Sequence, residues 1–133
     1  MQRLILLSTV LVLCTATTQT MAASASTAYT ISTFKNGQPI GTREVSAVDL
    51  RNAAKHLTSA FQEQMPSYER LISVAKGMTA IDRCFNLFSS RVALASVKAG
   101  MLDASANAEG FLENSITSIE KVNSQTLVTC EMR

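Results

Sequence analysis

A chain of 133 residues with 12 Lys and Arg, 10 Asp and Glu and one His is close to neutral, and its charges mix in sign, as at Arg43-Glu44 and Glu69-Arg70. That excludes the basic stripe with aromatic interleaving of a nucleic-acid-binding domain, and no lysine-rich amphipathic face marks a membrane-surface helix. Tryptophan is absent and aromatic residues make up 5% of the chain, which argues against stacking platforms of the kind that hold sugars.

The N-terminus has the parts of a secretory signal. Met1-Gln2-Arg3 is a short positive start, and from Leu4 to Leu13 an apolar run is interrupted only by Ser8 and Thr9. A small-residue stretch then leads to Ala23-Ser24-Ala25, which fits the cleavage rule, with Thr20-Met21-Ala22 and Cys14-Thr15-Ala16 as competing sites. The apolar run is about half the roughly 20 residues that span a bilayer. Residues 1–25 are therefore expected to be removed, leaving no stable membrane span. The alternative is a lipid anchor at Cys14, because Leu-Val-Leu-Cys resembles a bacterial lipobox. Leu13, however, is bulky where that motif carries a small residue.

Residues 26–133 are expected to form one small domain. Loss of Arg3 leaves 11 basic residues against 10 acidic ones, and loss of Cys14 leaves Cys84 and Cys130. Two cysteines in an exported chain of this size read as one structural disulfide. Closing that loop removes about 4 kcal/mol of denatured-state entropy on the chain-entropy model. A redox pair would more commonly be spaced Cys-x-x-Cys beside a helix start.

From Tyr29 to Val45 the pattern is extended: Tyr29, Ile31 and Thr33 alternate with Thr30, Ser32 and Phe34. Asn36-Gly37 predicts a tight hairpin turn, since both residues tolerate positive φ. The second arm contains Pro39 and Gly41, the marks of an edge strand or a looser extended segment. Lys35, Asn36, Gly37 and Gln38 form the tip of this hairpin and are a candidate recognition element.

Ser46-Ala47-Val48-Asp49 reads as a helix start. Leu50, Ala53/Ala54, Leu57, Ala60/Phe61 and Met65 continue it as one apolar stripe, ending near Pro66. Ser67 opens a second helix with Leu71, Ile72, Ala75 and Met78 on its buried face, which Gly77 breaks. A third helix starts from Thr79-Ala80-Ile81-Asp82, with a stripe of Ile81, Phe85, Phe88, Val92 and Ala95, and stops at Lys98-Ala99-Gly100. Its small residues Ser89, Ala93, Ser96 and Gly100 predict a close helix partner. A fourth helix begins between Asp103 and Ala108 and carries Phe111/Leu112, Ser115/Ile116, Ile119 and Val122, with Glu109, Glu113 and Glu120 mostly off that stripe. The β-branched tail around Val128 predicts a short strand pairing with the hairpin, a helical tail being the alternative. The fold class is therefore α+β and mostly helical: an antiparallel cluster of three or four helices with an N-terminal β-hairpin and a short C-terminal strand. An all-α bundle is the alternative.

No motif carries chemistry. His56 has Asn52, Ser59 and Ala60 at helical spacing and Lys55 next to it, none of them a carboxylate, thiolate or second imidazole, so it reads as a half-buried surface histidine. Asp49, Asp82 and Asp103 each fall near a helix start, where capping accounts for them. No phosphate-binding glycine loop, nucleophile elbow, zinc helix or calcium loop occurs. No catalytic residue, metal or cofactor is expected. The function expected is a small exported, non-enzymatic binding or accessory protein of the bacterial cell envelope, acting on a protein partner, as in a secretion, conjugation or pilus apparatus. The alternatives are a secreted inhibitor of a hydrolase or toxin, using the hairpin tip, and a small enzyme with a non-local site.

Overall fold

The computed structural model describes residues 27–60, 66–102 and 106–133. The expected leader, residues 1–25 with Cys14, lies outside the described residues, as do Phe61, Met65 and Asp103. The elements run β1 (Ala28–Lys35), β2 (Gln38–Ser46), α1 (Ala47–Ala60), α2 (Tyr68–Gly77), α3 (Ala80–Lys98), α4 (Ala106–Gln125) and β3 (Val128–Met132). Tyr29–Val45 and Asp49–Arg133 form one compact unit. In the other, Ala47 N–H donates to Thr27 O at 3.0 Å. The expected mostly helical α+β architecture is present, and no described helix is long and apolar enough to cross a membrane.

The turn between β1 and β2 places Asn36 at φ 52° and Gly37 at φ 76°, the pair of left-handed residues that a two-residue hairpin requires. β2 is an edge strand, since the sheet order is β2-β1-β3, which is where Pro39 does least harm to a hydrogen-bonded ladder. The tail is a strand and not a helix. It pairs antiparallel with β1, placing Ile31 opposite Met132, Thr33 opposite Cys130 and Lys35 opposite Val128. Beyond the ladder, Thr30 and Arg133 exchange both backbone hydrogen bonds, at 2.9 and 3.0 Å.

Two helix starts are capped as the sequence predicts. Ser67 Oγ accepts from Arg70 N–H at 3.2 Å, and Thr79 Oγ1 accepts from Asp82 N–H at 3.1 Å. At the other end of α3, Ala99 closes the helix and Gly100 turns the chain at φ 73°. The glycine in β2 has a different job. A Cβ on Gly41 would lie 2.5 Å from Ile81 Cδ1, so the missing side chain lets the first turn of α3 lie close against the strand.

Among the described residues, three apolar clusters build the core. The first joins the sheet to α1 and α3 through Ile31, Val45, Leu50, Cys84, Phe88 and Val128. The second joins the four helices through Ala54, Leu71, Ala93, Phe111 and Leu112. The third packs Ala75, Leu87, Ile119 and Val122. α3 contributes to all three, which corrects its expected single stripe. Phe88 is buried, but Ile81, Phe85 and Val92 are only half-buried and Ala95 is exposed. The deep positions are Cys84, Leu87, Ser89, Ser90 and Ala93. A helix enclosed by a sheet and other helices must bury more than one face. The small side chains on the second face, Ser89 and Ala93 among them, leave room for a neighbouring backbone. Gly100, the last of the expected small-residue row, is exposed.

Candidate functional site

Cys84 and Cys130 are joined by a disulfide with a Cα–Cα separation of 5.5 Å, fastening the second turn of α3 to β3. Beside it lies a group with no motif to announce it. Arg83 is 6% exposed. Its Nε donates to Asn123 Oδ1 at 2.8 Å, and its Nη1 donates to Ala75 O at 3.2 Å and Met78 O at 2.7 Å. Its Nη2 reaches Thr126 Oγ1 at 3.5 Å. The cation thus sits where α2 ends and where α4 ends, and carbonyl groups there carry partial negative charge. Burial draws its pKa below the ordinary arginine value, and the hydrogen bonds offset that cost. Asn123 Nδ2 in turn donates to Cys130 Sγ at 3.5 Å, so guanidinium, amide and disulfide form one connected group. The signal for Arg83 in the sequence is its position: directly before Cys84 and four residues before Leu87, on the side that α3 has to bury.

This group supports one end of the sheet. The four residues of the expected recognition hairpin, Lys35, Asn36, Gly37 and Gln38, are all exposed there. They do not project as a free ribbon, because β1 is the central strand and Lys35 pairs with Val128. Asn36 N–H donates to Leu127 O at 2.9 Å, binding the tip to the turn after α4. Leu127 is the residue that sequence reasoning missed. It is 61% exposed and left-handed, at φ 56°, in a position after a helix that glycine usually fills. Lys35 has no ion-pair partner among the described residues. The surface therefore offers an exposed leucine tied through its backbone to the hairpin tip that carries Lys35.

A second feature lies among the helices. A cleft of about 310 Å³ opens between the end of α1, α2, α3 and α4. Leu57, Leu71, Val74, Met78, Phe111 and Ile119 supply its apolar walls, and Ser90, Ser115, Ser118 and Asn86 supply polar atoms. Val74 is 54% exposed at its rim. His56 is exposed and lines neither this cleft nor the shallow polar hollow by Arg43 and Asp49. Asp49 and Asp82 lie in the first turns of α1 and α3, and Asp82 pairs with Arg43 at 3.5 Å. That arginine also lies over the Phe85 ring, 4.7 Å from its centroid. Comparison with protein-family models, with curated proteins and with solved structures finds no match to this chain.

Proposed function

We propose that this is a small exported, non-enzymatic binding or accessory protein of the bacterial cell envelope, acting through protein–protein contacts as a component of a secretion, conjugation or pilus apparatus. The observation that carries the contact reading is Leu127. An exposed leucine held in a left-handed conformation costs backbone energy that glycine would spare, and residues kept in such conformations concentrate at functional sites. The hairpin tip and the Arg83 network fix its position in advance, which lowers the ordering cost of docking. The partner that suits it presents an apolar pocket with an acidic rim, taking Leu127 and facing Lys35. The leader sequence and the single disulfide support the compartment.

Leu127→Gly tests the contact. The substitution relieves a left-handed conformation worth about 1 kcal/mol, less the extra chain entropy of glycine. The thermal midpoint is therefore expected to hold or rise, while cross-linking of the protein to its envelope partner is lost. Unchanged cross-linking by the variant overturns the assignment of this surface. The compartment has its own test, the intact mass of the protein recovered from cells. A chain starting after Ala16, Ala22 or Ala25, with two thiols appearing only on reduction, supports export. An uncleaved chain with free thiols overturns it.

A further inference from the structure

The cleft among the helices is separate from the sheet end and has its own chemistry. Arg70 is the one charged residue among the described residues that line it, and its guanidinium has no ion-pair partner among the described residues. The polar atoms of the cleft are in part already committed. Ser118 Oγ donates to Ser115 O at 2.9 Å, and Asn86 Nδ2 donates to Asp82 O at 2.9 Å. A ligand rich in hydroxyls or amides would find few free partners, whereas an aliphatic chain would cover the leucine, valine, phenylalanine and isoleucine walls. Charge selects the other end of the ligand. The α2 terminus, whose Ala75 and Met78 line the cleft, would repel an anion through its last carbonyls. Arg83 donates to both of those carbonyls, which leaves Arg70 as the charged group of the described lining.

We propose that this cleft binds a single-chain aliphatic carboxylate, its tail among the apolar walls and its carboxylate at Arg70. The size fits. A volume of 310 Å³ lies at the lower end of small-molecule sites and equals the share of about ten waters. That accommodates one chain of medium length, and a two-chain lipid does not fit.

Decanoate, used below its micelle concentration, is the probe. Titration into the full domain, followed by methyl NMR, is expected to shift Leu57, Leu71, Val74 and Ile119 saturably at one site. Decanol is expected to bind more weakly than decanoate. Arg70→Gln, a surface change that leaves the core intact, is expected to weaken decanoate about threefold to fivefold, as for a partly exposed charge pair, and to leave decanol unchanged. Ser115→Leu fills the cleft and is expected to abolish both. Three results overturn the proposal: no saturable shifts with decanoate, shifts that map outside the cleft, or equal affinity for decanoate and decanol in both wild type and Arg70→Gln. Arg70-dependent binding to phosphatidylglycerol vesicles without decanoate binding overturns it as well, by assigning the arginine to a membrane surface.

Discussion

The sheet half and the helical half of this domain are held together in different ways. Around the sheet the links are specific and few: the Cys84–Cys130 bond and the ladder between β1 and β3, with Arg83 beside them tying α3 to the ends of α2 and α4. Among the helices the contacts are more extensive and are made in part by small side chains. Ser89, Ser90, Ala93 and Ala108 are deeply buried there. The ion pairs Arg91–Glu120 at 2.9 Å and Lys98–Glu113 at 3.7 Å join α3 to α4 with both partners about half exposed, where such pairs contribute little. The difference separates two tasks. The covalent and ladder links lie beside Leu127 and the hairpin tip, and the open volume lies among the helices.

Substitutions can break or sharpen this contrast. The largest effect is expected from replacing both cysteines, Cys84→Ser with Cys130→Ser, which should cost about 4 kcal/mol in denaturant unfolding. An unchanged midpoint would remove the disulfide from the list of specific links. Arg83→Met keeps the apolar stem of the side chain as far as the place of Nε but orphans Asn123 and the carbonyls of Ala75 and Met78. A loss of about 3 kcal/mol is expected from chemical denaturation. Should that variant lose less than the exposed pairs do, the buried guanidinium holds α3 to α2 and α4 no more firmly than the surface charges do. A gain is expected at Thr33, whose Oγ1 is buried without a partner on the inner face of β1. Thr33→Val keeps the shape, removes that hydroxyl and should raise stability by about 1 kcal/mol, read as a higher thermal midpoint. The smallest effect belongs to Glu120→Gln on the helical surface, expected to stay within about 0.5 kcal/mol and to vanish in high salt. A larger loss there would show that the helices depend on their surface charges after all.

Much of the fold was legible because its signals are local. Asn36-Gly37 states its turn in two residues, Ser67 and Thr79 cap the helices that follow them, and the β-branched residues after Leu127 mark the last strand. The pairing of Cys84 with Cys130 followed from counting. What stayed hidden depends on partners distant in the chain. Arg83 looks like one more helix-surface charge until the ends of α2 and α4 are brought to it. Of the second buried face of α3, Ser89 and Ala93 were legible as part of a small-residue row, while Cys84, Leu87 and Ser90 fell outside the expected stripe. Leu127 reads as the first residue of a strand, and only the turn forced by α4 running into β3 gives it a left-handed backbone. The cleft draws its lining from four helices, so no single stretch of sequence announces it.

The place of β1 in the centre of the sheet also sets an order of events. The β1–β2 hairpin forms from neighbouring residues, but a two-stranded hairpin alone is at best marginally stable in water. The other edge of β1 stays open until Val128–Met132 arrive, after every other element has been made. That pairing spans nearly the whole described chain, and such non-local contacts form slowly. A chain threaded N-terminus first, from a ribosome or through a translocation pore, cannot complete its sheet or bring Cys84 to Cys130 while the tail is still held back.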